Sequence, residues 1–126
     1  HTSGLTSNEL NTGFADPNEN IIWIATHRNG LCAFNCDQET FTSYIAEKSQ
    51  LQTNDITDLS YASDGGIWIT HYHVGIEHYN PRTKKFTAYR NDEIQGLPIP
   101  NWTSCEDRTG HLYIGHAFNG LSILSL

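Results

Sequence analysis

Methionine is absent from the 126 residues, and cations are scarce: 7 Lys and Arg against 14 Asp and Glu give 7 − 14 = −7 with neutral histidines. This balance is the reverse of the basic footprint that binds nucleic acid or anionic membranes, so nucleic acid is not an expected partner. No stretch approaches the ~18 to 20 apolar residues of a membrane span, and no charged start followed by an apolar run reads as a signal peptide. Only three cysteines are present, Cys32, Cys36 and Cys105, an odd set that defines no disulfide framework. Cys32 and Cys36 fall in one strand-like run, about 13 Å apart at ~3.3 Å per residue, beyond disulfide reach, and read as packing thiols. No window sustains a 3.6-residue apolar period, so helix content is expected near zero.

What the chain does have is a repeat. Ile22-Trp23-Ile24, Ile67-Trp68-Ile69 and Leu112-Tyr113-Ile114 are one element recurring at a step of 45, as are Gly30-Leu31, Gly75-Ile76 and Gly120-Leu121. Phe41-Thr42-Ser43-Tyr44 maps onto Phe86-Thr87-Ala88-Tyr89 with the same step. Upstream, Leu10, Ile56 and Trp102 step by 46, which assigns Trp102 a core position. Each unit divides into four short apolar runs parted by turn residues such as Asp16-Pro17-Asn18 and Ser63-Asp64-Gly65-Gly66. In the first unit the runs lie near 10–15, 21–27, 31–36 and 41–45. The second and third runs are apolar on both parities, as strands covered on both faces are.

Four-stranded antiparallel units of this length, each packed between copies of itself, describe β-propeller blades. The expected fold is all-β, a propeller fragment of about three four-stranded blades with the third incomplete, part of a larger ring. The whole chain, 1–126, is then one partial propeller with units of roughly 5–50, 51–96 and 97–126. Uncovered blade faces imply self-association.

Glu106-Asp107-Arg108-Thr109-Gly110-His111-Leu112-Tyr113-Ile114-Gly115, followed by Asn119-Gly120-Leu121, resembles the two-component regulator propeller repeat. Ile22-Trp23-Ile24-Ala25-Thr26 with Gly30-Leu31, and Gly66-Ile67-Trp68-Ile69-Thr70 with Gly75-Ile76, are similar to it in the other units. Leu97-Pro98-Ile99-Pro100 departs from the Leu-x-Ser/Thr-Asn signature kept at Leu5 to Asn8 and Leu51 to Asn54. The resemblance implies the periplasmic, ligand-sensing part of a membrane-anchored hybrid histidine kinase that recognises oligosaccharides. A propeller lyase or glycoside hydrolase, or a protein-interaction scaffold, is the alternative.

Ligands of propellers bind where the loops between second and third strands meet the blade-linking loops. That face holds His27, Arg28, His71, Tyr72, His73, His116 and Phe118, side chains able to stack on and hydrogen-bond to a sugar. His71, His73 and His116 raise a zinc reading, but no Cys-x-x-Cys or His-Glu-x-x-His spacing supports one. Neither metal nor cofactor is expected. Asp55, Asp58, Glu106 and Asp107 are the carboxylates nearest the axis, yet no nucleophile-base pair is identifiable, so catalysis is not expected.

Overall fold

The computed structural model describes residues 5, 7–94 and 97–126. Among them are eleven strands and no helix: Leu10–Ala15 (β1), Ile21–Thr26 (β2), Leu31–Asn35 (β3), Thr40–Tyr44 (β4), Ile56–Tyr61 (β5), Ile67–His71 (β6), Gly75–Asn80 (β7), Lys85–Arg90 (β8), Asn101–Glu106 (β9), His111–His116 (β10) and Leu121–Ser125 (β11). They form three antiparallel meanders, β1-β2-β3-β4, β5-β6-β7-β8 and β9-β10-β11. The fold is a β-propeller fragment of two four-stranded blades and one of three strands. None of the three cysteines forms a disulfide: Cys32 is buried on β3, Cys36 lies half-buried one residue beyond it, and Cys105 is exposed.

Parity on β6 shows how the blades stack. Ile67 and Ile69 join Trp23, Ala25, Leu31, Leu51, Ile56 and Tyr79 in one buried cluster between the first two blades. Trp68, between them in sequence, points to the opposite face and packs with Ile76, Leu97, Leu112 and Ile114 against the third. Every residue of β6 is therefore buried. The two-sided burial expected of β2, β3 and their copies holds fully only there: Ile22 on β2 is 37% exposed, and β11 alternates exposed and half-buried residues. The outer faces of the first and third blades have no described neighbour.

Polar groups lock the same interfaces. Asp58 accepts hydrogen bonds from the Thr103 hydroxyl and, at 3.1 Å, from the Ser104 N–H, and the Thr70 hydroxyl donates to Ser104 Oγ at 2.9 Å. Glu106 accepts from the Trp68 indole at 2.7 Å and from both the N–H and hydroxyl of Ser63. Partial burial raises the Glu106 pKa, but the Ser63 and Trp68 donors outweigh it and hold the carboxyl below its ordinary 4.5. In the first turns, Asp16, Asp64 and Asp107 each accept backbone N–H groups, the turn-closing role that Asp-rich turns predict. Donors from His111 and Thr109 hold Asp107 well below the usual carboxylate range.

One expectation is overturned. Ile56 pairs with His71, but the residue opposite His116 is Asn101, not Trp102. Each inner strand carries a β-bulge: the ladder skips Asn11, Thr57 and Trp102 in turn. Asn101 is the buried counterpart of Ile56, while Trp102 stands on the bulge and is 56% exposed. A one-residue slip reverses which side chain faces the core.

The recurring Gly-Leu has a steric cause at Gly75. Its φ is 137°, and a Cβ there would sit 2.2 Å from the Tyr89 carbonyl oxygen of the fourth strand. At Gly120 (φ 76°) a Cβ would meet nothing within 4 Å. Gly75→Ala should therefore cost on the order of 3 kcal/mol and Gly120→Ala about 1 kcal/mol, read as unfolding midpoints of the two variants. A second prediction concerns acid. Because folding depresses the Glu106 pKa, its stabilisation is present above pH 4.5 and is lost as pH falls through the lower folded value. Acid unfolding followed by Trp fluorescence should lose that component in Glu106→Gln.

Candidate functional site

The repeated bulge aims three non-equivalent side chains, Asn11, Thr57 and Trp102, off the inner strands. Asn11 Nδ2 donates to the Ile56 carbonyl at 2.6 Å, and Thr57 Oγ1 lies 3.5 Å from the Asn101 carbonyl, the same position one blade on. Beside them the β2–β3 loop brings His27 and Arg28, the blade linker brings Asp55, and the β6–β7 loop brings Tyr72. These seven residues line a cavity of about 490 Å³, within the ~300 to 1,000 Å³ of small-molecule sites.

Its chemistry is mixed. Tyr72 and Trp102 meet edge to face, ring centroids 6.1 Å apart at 73°, giving an apolar wall. Arg28 supplies a fork of donors, Asp55 a carboxylate, and Asn11 and Thr57 neutral groups. Arg28 holds φ at 67°, a conformation costly for a residue with a Cβ. His73 and Phe118, at the same position in the other units, have no positive φ, so the repeat does not impose it. The linker is tied to the loop beside it, since the Tyr72 N–H donates to the Asp55 carbonyl at 3.3 Å.

Of the seven residues expected on this face, His27, Arg28 and Tyr72 line the cavity. His73 is exposed and meets Tyr72 edge to face with ring centroids 4.4 Å apart, while Phe118, 83% exposed on the β10–β11 loop, does not line the cavity. His71 and His116, expected on the same face, are buried and do not line the cavity. His71 is 1% exposed, with Nδ1 bonded to Thr53 Oγ1 at 3.0 Å and Nε2 to Glu77 at 2.8 Å. His116 Nε2 bonds to Ser122 Oγ at 2.8 Å. They end their strands facing inward. Asn11, Asp55, Thr57 and Trp102 were not among the expected binding residues; counting the third unit back from Tyr113 by 45, rather than from Leu97 by 46, would have located the bulge.

Among the described residues no group of three or more His, Cys, Asp or Glu is placed to hold a metal ion. Of the carboxylates near the axis, Asp58, Glu106 and Asp107 are engaged by neighbouring blades or turns, and Asp55 alone lines the cavity. Two-carboxylate glycosidase chemistry lacks its second partner among these residues. A second cavity of about 520 Å³ on the opposite face runs between turns whose carboxylates, Asp16 and Asp64, already accept backbone N–H groups.

No protein-family model and no curated protein matches this chain. Solved structures do. An extracellular domain assigned to a hybrid two component system of B. thetaiotaomicron is 42% identical, with a TM-score of 0.90 over 99% of this chain and 18% of that one. Over 99% of its length the chain is similar in sequence and fold to a segment of that extracellular domain. An extracellular domain assigned to a one component system of the same organism (22% identity, TM-score 0.72, 95% of this chain, 18% of that one) shares the fold. So does PorZ, a surface component of the type-IX secretion system of Porphyromonas gingivalis (16%, 0.68, 93% and 17%). The chain spans less than a fifth of the length of these structures. The two from B. thetaiotaomicron are extracellular domains assigned to signalling systems.

Separate substitutions test the corrected register. Trp102→Ala should change folding stability by no more than about 0.5 kcal/mol, whereas Asn101→Ala, which strips the His71 carbonyl of its 3.0 Å donor, should cost about 1 to 3 kcal/mol. Denaturant unfolding of the two variants checks both values.

Proposed function

We propose that this chain supplies part of the ligand face of a periplasmic two-component sensor, recognises an oligosaccharide in the bulge-lined cavity, and signals to a histidine kinase across the membrane. The observation that supports it most is the pairing of the Tyr72–Trp102 wall with Arg28, Asp55 and Asn11 around one opening. Aromatic faces cover the apolar C–H patches of a pyranose, and planar donors and acceptors reach its hydroxyls.

The test is a thermal-shift panel of plant and host oligosaccharides against the full-length protein, with product release followed in the same wells. A ligand at 100 times its Kd adds about 2.7 kcal/mol of stability, a readable shift. A shift without turnover, weakened by Trp102→Ala through a loss of about 1 kcal/mol, is expected. Turnover would favour a propeller lyase or hydrolase instead, and no shift across the panel would favour a protein partner on this face.

A further proposal concerns the uncovered blade faces. Ile22 on the first blade and Leu121 and Ile123 on the third are exposed apolar residues, and burying them should make the isolated 126-residue chain self-associate. Light scattering at rising concentration should show oligomers, and a monodisperse monomer throughout would overturn this.

A further inference from the structure

Beneath the cavity, its wall-forming segments share one buried polar cluster. At the centre is Glu77 on β7, 0% exposed. Opposite Ile69, it holds the place that Cys32 holds opposite Ile24 and Ser122 opposite Ile114, so the repeat does not require an acid there. A buried carboxyl group is costly unless its oxygens are bonded, and Oε2 has no partner among the described residues.

What Glu77 does hold is the cavity wall. Its Oε1 accepts the Gln52 N–H at 3.2 Å and bonds to His71 Nε2 at 2.8 Å. On the other side of the ring His71 Nδ1 meets Thr53 Oγ1 at 3.0 Å, and that oxygen accepts the Asp55 N–H at 3.3 Å. One proton arrangement satisfies the whole chain: Thr53 donates to Nδ1, and Nε2–H donates to Glu77. The His71 backbone carries the order to the third blade. Asn101 Nδ2 donates to the His71 carbonyl at 3.0 Å and the Asn101 N–H to the Tyr72 carbonyl at 2.9 Å, next to Trp102. Asp55, Tyr72 and Trp102 are thus each one bond or one hydrogen bond from this cluster.

We propose that Glu77 is a positioning residue that, through His71 and Thr53, fixes the linker at 52–55 and the Tyr72 loop in the geometry of the cavity wall. The role in binding rests on the oligosaccharide reading above; the positioning itself does not. The third blade suggests the variant. Glu77→Ser recreates the His116–Ser122 pair within the second blade, an arrangement the fold already accommodates. In the full-length protein its unfolding midpoint should stay within a few degrees of the parent. Amide exchange at Gln52, Asp55 and Tyr72 should accelerate at least tenfold, while Ile67 and Ile69 keep their protection. Glu77→Gln, which keeps an acceptor at Oε1, should restore most of the lost protection.

Thr53→Val, a change confined to a half-buried linker residue, is the second arm and should speed exchange at Asp55 alone by a similar factor. Unchanged linker exchange in Glu77→Ser, or in Thr53→Val should Glu77→Ser not fold, overturns the proposal. So does a uniform rise across β5–β8 with a lowered midpoint, which marks a purely structural residue. Exchange needs no ligand, so a silent oligosaccharide panel would sink the sugar reading and leave this result standing.

Discussion

Strand β6 is apolar on both faces, and a strand of that kind is stable only with a sheet on either side of it. Ile67 and Ile69 demand the first blade, Trp68 demands the third, and the remaining architecture follows from meeting both demands at once. A flat sandwich would cover one face of each sheet. Repeating a four-stranded unit covers both, at the cost of leaving the outermost units of any short run open, which is why Ile22 and Ile123 meet solvent while their neighbours within the stack do not.

The stacking also fixes where chemistry can occur. Inner strands of adjacent blades lie against each other, and a bulge near the start of each frees one side chain from the ladder. Because that residue is relieved of packing, the repeat tolerates any side chain there, and it holds Asn11, Thr57 and Trp102 in turn. Variation at these bulge positions is one way a repetitive scaffold comes to carry a non-repetitive site. Glu77 is the exception that lies inside the sheet, and its bonds lead back to the wall of the same cavity.

Most of the fold was legible in the sequence because its causes are periodic. The aromatic at 23, 68 and 113 and the glycine at 30, 75 and 120 mark β2, β3 and their copies, and the strand limits read from the first unit agree with those observed to within a residue or two. The site was legible only in part. His27, Arg28 and Tyr72 could be assigned to a face because loop position follows from strand order. His71 and His116 could not be assigned inward by type alone; what turns them inward is strand parity and hydrogen-bond partners six residues away, Glu77 and Ser122. Trp102 was misplaced because the step of 46 that relates Leu10 to Ile56 was carried on to the third unit, where the inner strand follows at a step of 45 and Asn101 takes the place of Ile56.

Hydroxyl-radical footprinting of the full-length protein, with labelling resolved by residue, bears most directly on this arrangement. Trp102 and Tyr72 should label readily and become protected together when an oligosaccharide from the panel binds, while Trp23 and Trp68 stay protected throughout. Labelling of Trp102 as low as that of Trp68 would contradict the bulge register, and with it the cavity built upon it.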